Sequence, residues 1–398
     1  MSLSRPKQAV ILAGGRGTRL APLTDHCPKP MIPFHGRPFL EYLIELLRTR
    51  GFDRILLLLG YLSDQIISHF GDGSRFGVTI QYHVTPVEDD TGSRVRKALP
   101  HIEPLSLLLY CDNYWPIPWE QLWQQFVQLG TLAQVTVYAN RDGYSRDNMC
   151  IGPNNLVTIY DKTRQSTGLQ GVDIGFLIAH REIFEQLPEE NCSLEKEIYP
   201  QLVRNQQLAA FLTEHRYYSV GDLRRLPLTE QFLARQPAVI LDRDGVLNQR
   251  MPRAHYVRHW DEWHWLPGAL DALRQLRDNG FLVVIITNQA GVARGAMTLD
   301  DLQQLHQRMQ VDVRQAGGHI DAIYYCPHDW NEGCFCRKPQ PGMLFQAQRD
   351  FHLDLSRTWF LGDDERDGEA ARQAAMPFGM VDPDHPLVWW INRLCNRL

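Results

Sequence analysis

Gln8-Ala9-Val10-Ile11-Leu12 runs into Ala13-Gly14-Gly15-Arg16-Gly17-Thr18-Arg19-Leu20, and Ala238-Val239-Ile240-Leu241 runs into Asp242-Arg243-Asp244-Gly245. Each stretch is a short apolar run that stops abruptly at polar or glycine residues. A strand buried on both faces reads this way, and in a parallel sheet it delivers its chemistry at its carboxyl end. The pattern outside these openings agrees. Phe39 to Arg50 carries Phe39, Leu43, Leu46 and Leu47 at helical spacing, Arg54 to Leu59 reads as a strand, and Leu62 to Phe70 as a helix. Leu105 to Tyr110 and Gln134 to Tyr138 read as further strands. The alternation returns in the second half: helix Leu270 to Asp278, strand Leu282 to Ile286, helix Leu299 to Gln315, strands Ala322 to Tyr325 and Thr358 to Leu361. Alternating elements predict an α/β chain with a mostly parallel sheet in each half.

The chain has 398 residues, 44% hydrophobic and 22% charged, which suits about two or three soluble globular domains. The segment Leu223 to Pro237, with Pro227, Pro237 and a short helical pattern at Leu228 and Phe232, separates domains at 1–235 and 236–398. The net charge of −5 argues against a chain built to neutralise nucleic-acid phosphates. No run is long enough to span a membrane, and Ala9–Ala13 is too short, and too soon broken by Gly14-Gly15-Arg16, for a signal peptide. A cytoplasmic protein acting on small molecules is expected. Cys27, Cys111, Cys150, Cys192 and Cys395 are scattered, as reduced structural thiols would be. The sequence leaves the oligomeric state unassigned.

After the first opening come Pro22-Leu23-Thr24 and Pro28-Lys29-Pro30. Glycines let backbone N–H groups approach an anion without a Cβ in the way, and Arg16, Arg19 and Lys29 add cations. This arrangement resembles the sugar-1-phosphate nucleotidyltransferases over roughly Lys7 to Leu226. The resemblance implies a Rossmann-like domain with a mixed, mostly parallel sheet. It implies that Gly14, Gly15, Arg16, Gly17 and Thr18 hold the nucleotide phosphates, with Arg19 on the phosphates and Lys29 stabilising charge as a sugar phosphate attacks. Asp112, ending the strand Leu109-Tyr110-Cys111, matches a magnesium ligand, with a turn cap as the alternative. Lys162, Asp173 and Glu195 match sugar-pocket positions, with a solvated helix start capped by Ser193 as the alternative around Glu195. Two departures stand out. Ser219 occupies the place of a second metal carboxylate, leaving either Asp222 or Asp112 with the phosphates to hold the metal. Asp90-Thr91-Gly92-Ser93-Arg94 alters the middle loop, where Arg94 would add a cation to the sugar-phosphate pocket. A non-catalytic sensing domain therefore stays open beside an active one.

In the second half, two carboxylates one residue apart leave a strand end together at Asp242 and Asp244. A carboxylate attacking a phosphoryl group needs a cation against like-charge repulsion and an acid for the leaving oxygen. Thr287 ends a later strand, Lys338 sits in Arg337-Lys338-Pro339, and Gly362-Asp363-Asp364-Glu365-Arg366-Asp367 follows the last strand. In this order the set resembles the haloacid dehalogenase superfamily, a Rossmannoid fold. The resemblance implies that Asp242 is the nucleophile and Asp244 the acid and then the base. Thr287, Asn288, Arg337 and Lys338 would lie about the phosphoryl group, and Arg294 would hold a distal substrate group. Magnesium would sit on Asp242, Asp363 and the carbonyl of Asp244, with Asp364 and Asp367 as orienting or weaker ligands.

Cys326, His328, Cys334 and Cys336 supply three thiols and one imidazole just before Lys338. That set matches a closed, structural zinc site, with a chance cluster of buried cysteines as the alternative. The loop resembles phosphatases that remove the 7-phosphate from D-glycero-D-manno-heptose 1,7-bisphosphate, and histidinol-phosphate phosphatases share it. A heptose 1-phosphate released by one half is a substrate the other could accept, which favours the heptose. The implied chain of events is 7-phosphate hydrolysis, then nucleotidyl transfer, with GTP and the α anomer implied by a guanylyltransferase likeness. The same chemistries on another sugar, such as a hexose, are the alternative.

Overall fold

A computed structural model describes residues 4–252 and 254–396. The chain divides after Leu233 into two compact units. The first contains seven long strands: β1 Gln8–Ala13, β2 Arg54–Leu59, β3 Thr79–Val84, β4 Leu105–Tyr110, β5 Ala133–Tyr138, β6 Val172–His180 and β7 Leu208–Thr213. They lie in the order β7-β5-β6-β4-β1-β2-β3. All neighbours pair parallel except β6, which is antiparallel to both β4 and β5. The sheet is mixed and mostly parallel, as the resemblance to the nucleotidyltransferases implies.

Both faces of β1 are buried, which is why it reads as an unbroken apolar run. Ala9, Ile11 and Ala13 face one core and Val10 and Leu12 the other. The first core is covered by α1 (Phe39–Thr49), whose Phe39, Leu40, Leu43, Leu46 and Leu47 are buried at helical spacing. Along the chain follow α2 (Ser63–Phe70), α3 (Thr91–Lys97), α4 (Trp119–Leu129) and α5 (Leu194–Arg204). The helical pattern in the boundary segment is α6 (Leu226–Leu233), and its Phe232 stacks on Tyr218 with ring centroids 3.9 Å apart. It therefore closes the first unit.

The second unit has five strands: β8 Ala238–Leu241, β9 Leu282–Asn288, β10 Ala322–Cys326, β11 Trp359–Gly362 and β12 Phe378–Met380. Their order is β10-β9-β8-β11-β12, all parallel. Helices α7 (Ala269–Asp278), α8 (Leu299–Gln315), α9 (Gly342–Phe351), α10 (Glu365–Gln373) and α11 (Leu387–Cys395) accompany them. The apolar C-terminal stretch packs on the core through Leu387, Ile391 and Leu394, and the Trp390 indole donates to the Met380 carbonyl at 2.8 Å.

The two sheets place chemistry by one rule. The chain walks outward from β1 through β2 to β3, then returns to the other side of β1 as β4. It walks from β8 through β9 to β10, then returns beside β8 as β11. At such a switch point neighbouring strands send their loops opposite ways and a crevice opens at their carboxyl ends. The glycine loop and Asp112 flank the first crevice; Asp242 and Asp363 flank the second.

Candidate active sites

In the second unit, Asp242 follows the last residue of β8 and Asp363 the last of β11. Asp242, Asp363 and Asp367 offer carboxylate oxygens all within 4.8 Å of one another. Lys338 lies between them, 2.8 Å from Asp242 and 2.8 Å from Asp367, and is 3% exposed. Close approach of the two strand ends depends on Gly245: its φ is +92°, and a Cβ there would lie 2.0 Å from Asp363 Oδ2. Burial pushes the Asp242 carboxyl up to about 8 against the pull of Lys338. A divalent cation on this trio would instead hold the carboxylates ionised, and three converging oxygens suit magnesium.

Asp244 has a different environment. Its carboxylate accepts from Arg243 at 2.8 Å, Asn248 at 2.9 Å and Gln289 at 2.9 Å. Burial opposes its ionisation, but Arg243 and these hydrogen bonds outweigh it and lower its pKa. The fully buried Arg243 also donates to His306 Nε2 at 3.1 Å. Burial, with Arg243 adding to it, brings His306 down to about 3, so the ring is neutral and accepts. Thr287 lies 3.5 Å from Asp244 through its hydroxyl and receives a hydrogen bond from Gln289 at 2.8 Å.

Asn288 and Lys338 are tied backbone to side chain in both directions, at 3.0 and 3.1 Å. These residues, with Arg337, line a cavity of about 460 Å³ whose mouth carries Arg250, His255, Trp330 and Arg366. Arg294 does not line it. Its guanidinium bonds Asp329 at 2.7 Å and lies 3.7 Å over the Trp330 ring. Asp364 is outside the carboxylate trio: it caps α10 and pairs with Arg250 and Arg366. Asp367, ranked with it from sequence, is instead 1% exposed and anchors Lys338.

Cys326, at the end of β10, brings its thiol within 3.5 Å of His328 Nδ1 and 3.6 Å of Cys334, while Cys336 is 3.2 Å from His328. Tetrahedral metal–sulfur bonds of about 2.3 Å would put sulfurs about 3.8 Å apart. The donor set and spacing fit such an ion.

In the first unit, Gly14, Gly15, Gly17, Thr18, Arg19, Lys29 and Asp112 line a cavity of about 310 Å³. Lys29 and Asp112, far apart in sequence, pair at 2.5 Å. Arg16 points elsewhere, to Glu88 at 3.6 Å. Thr91 and Tyr110 also line this cavity, and both donate to Glu195. Glu195 in turn meets Lys162 at 3.2 Å and the Ser193 hydroxyl at 2.8 Å. Ser193 therefore spends its hydroxyl on Glu195 and makes no side-chain cap on α5. Asp173 completes the group; burial pushes it up to about 7, with Glu195 reinforcing and Lys162 opposing. The three sequence-matched sugar positions thus converge beside the nucleotide-type cavity.

Residues 8–227 match the nucleotidyl transferase family model, and residues 238–382 match the family described as polynucleotide kinase 3 phosphatase. The chain belongs to the nucleotidyl transferase family. Its second unit also belongs with the D-glycero-β-D-manno-heptose-1,7-bisphosphate 7-phosphatases. The Pseudomonas aeruginosa enzyme of that name is 44% identical over 134 residues, 34% of this chain and 74% of the relative. The crystal structure of D,D-heptose 1,7-bisphosphate phosphatase from B. bronchiseptica, complexed with magnesium and phosphate, is 35% identical. It covers 41% of this chain and 99% of its own, with a TM-score of 0.38. HddC from Yersinia pseudotuberculosis shares the fold of the first unit: TM-score 0.50, 24% identity, 57% of this chain and 100% of that one. Two enzyme families joined in one chain make this a bifunctional enzyme.

Two expectations for the nucleotidyl transferase unit change on sight of the structure. Asp222 does not stand in for the missing carboxylate: it caps the Arg224 N–H at 3.0 Å, faces Arg225, and does not line the cavity. Arg94 is not a free cation for the sugar phosphate. It is 3% exposed, and its guanidinium is bound to the carbonyls of Leu59, Gly14 and Val87 and to the Thr85 hydroxyl. Sequence reading also passed over Arg243, Gln289 and His306. The one signal was for Arg243, an arginine set between two acids in Asp242-Arg243-Asp244; its guanidinium pairs with Asp244 and His306, while from Arg243 the Asp242 carboxylate accepts only the backbone N–H.

Proposed function

We propose that this chain makes a nucleoside-diphosphate heptose in two steps, with the phosphatase chemistry in residues 236–398 and the transfer in residues 1–235. The observation that carries the reading is the pairing of a carboxylate–lysine cluster, in a unit 44% identical to a named heptose bisphosphatase, with a nucleotidyl transferase in the same chain. In the first step, an Asp242 oxygen attacks the 7-phosphorus of D-glycero-D-manno-heptose 1,7-bisphosphate and the 7-oxygen leaves. Asp244, held ionised by Arg243 in the free site, takes up a proton as the anionic phosphoryl group enters, gives it to that oxygen, and then takes one from the water that cleaves the aspartyl-phosphate. Lys338 and Thr287 face the phosphoryl oxygens, held in place by Asn288 and Gln289. Asp242, Asp363 and the Asp244 carbonyl would hold magnesium, which would supply a positive charge to offset repulsion between the carboxylate nucleophile and the phosphate. Cys326, His328, Cys334 and Cys336 hold a structural zinc ion that fixes the loop leading to Lys338.

In the second step the heptose 1-phosphate attacks the α-phosphorus of a nucleoside triphosphate and pyrophosphate leaves. The glycine loop and Arg19 bind the triphosphate, Lys29 offsets charge at the reacting phosphate, and Asp112 binds magnesium. Lys162, Asp173 and Glu195 hold the sugar. GTP is the nucleotide. The phosphatase relatives are named for the β anomer, whereas the guanylyltransferase likeness implies the α anomer, so both must be assayed.

The test supplies purified protein and magnesium with each anomer of the bisphosphate and each of the four triphosphates, and follows phosphate and pyrophosphate. Phosphate first, then pyrophosphate with GTP alone, is the expected result. Phosphate without pyrophosphate would move the first unit to another sugar or to a sensing role, and neither product would sink the heptose assignment. Metal analysis of the purified chain checks zinc against magnesium.

A further inference from the structure

Arg94 is a buried guanidinium that the proposed mechanism does not use. It reaches from α3 to the glycine loop, at the wall of the same cavity that Gly15 lines, and donates to Leu59 O at 2.9 Å, Thr85 Oγ1 at 2.5 Å, Val87 O at 2.9 Å and Gly14 O at 3.3 Å. Two glycines make room for it. A Cβ on Gly14 would lie 2.4 Å from Arg94 Cζ, and one on Gly60 would lie 2.6 Å from Nη1. Neither has a positive φ, so each is glycine for space and not for backbone conformation.

The Gly14 carbonyl has a second donor on the same side, the Tyr61 N–H at 3.0 Å. In a planar trans peptide the carbonyl and the following N–H point in opposite directions. Binding the Gly14 carbonyl to Arg94 and the Tyr61 N–H therefore turns the Gly15 N–H the opposite way, away from both donors. Gly15 is exposed and lines the 310 Å³ cavity, and its N–H has no protein acceptor among the described residues. We infer that Arg94 is a positioning residue: it fixes the polarity of the Gly14–Gly15 peptide so that the Gly15 N–H is aimed at a phosphate oxygen of the bound triphosphate. The inference rests on the nucleotidyl-transfer reading and explains why the middle loop departs from the family pattern at this position. Lysine is a poor replacement, because one ammonium cannot span four separated acceptors as a planar fork does.

The test uses the full chain labelled with ¹⁵N-glycine and titrated with inorganic tripolyphosphate, which needs no assumption about the base. The Gly15 amide resonance should shift in the native chain. In Arg94→Lys that shift should be lost, and pyrophosphate release should fall roughly tenfold or more, chiefly through a raised KM for the triphosphate. Phosphate release by the second unit should be unchanged. Thr85→Val, which removes one acceptor, should give a smaller loss of the same kind and serves if Arg94 variants do not fold. A Gly15 resonance that tripolyphosphate leaves unmoved, or Arg94→Lys turnover equal to the native chain, overturns the inference. Absence of pyrophosphate release from the native chain with every triphosphate would instead sink the transfer reading, while the titration still judges the loop.

Discussion

The two crevices sit at the same place in their sheets and are built to opposite degrees of completion. In the phosphatase unit three carboxylates and Lys338 are assembled and largely withdrawn from water, with Lys338 and Asp367 only 3% and 1% exposed. In the transferase unit Asp112 faces Lys29 in a pair 20% and 14% exposed, with Asp89 and Asp90 also on the cavity wall and not bound to that lysine. Buried charges must be matched in the protein itself, so the phosphatase site is specified almost atom by atom. An open site that receives a highly charged nucleotide can leave part of its charge balance to the ligand. Ser219, where a second carboxylate is usual, fits that division.

The largest effect should come from Asp242→Asn. Without the nucleophile, phosphate release should fall by about four orders of magnitude or more, while pyrophosphate release from a supplied sugar 1-phosphate stays unchanged. Loss of both would break the separation of the two sites. Lys29→Ala is the converse: pyrophosphate release falls about a hundredfold to a thousandfold with phosphate release intact, read in one coupled assay. Ser219→Asp sharpens the contrast further. A second carboxylate should tighten binding of Mn²⁺ to the first unit roughly tenfold without nucleotide, as measured by electron paramagnetic resonance.

The smallest effect concerns pH. Burial holds Asp173 protonated up to about 7, whereas an unfolded aspartate ionises near about 3.9. A raised folded-state pKa gives stability that is full below the lower value and is lost as pH rises through the upper one. Unfolding of the first unit should therefore become easier from pH 4 to pH 7 on this account (about the span of the two values). Asp173→Asn, compared by urea unfolding at the two ends of that range, should flatten the dependence. An unchanged slope would show that Glu195 and Lys162 balance the charge more completely than burial suggests.

Much of both folds was legible because a strand buried on both faces has to be apolar throughout, and β1, β2, β8 and β9 announce themselves in that way. The reversed β6 was not, since an apolar strand carries no mark of its direction. The chemical residues were legible where the chemistry requires a residue type at a fixed spacing: the glycine loop with Lys29, the two acids around Arg243, and the four metal-type ligands from Cys326 to Cys336. Partnership was not legible. That Lys29 meets Asp112, that Asp367 and not Asp364 joins Asp242 and Asp363, and that Arg94 braces Gly14 are facts of three-dimensional approach between segments far apart in sequence. Local periodicity and composition determined the strands, the helices and the list of reactive groups. Only the packing of β4 beside β1, and of β11 beside β8, decided which of those groups share a crevice and which are spent holding it open.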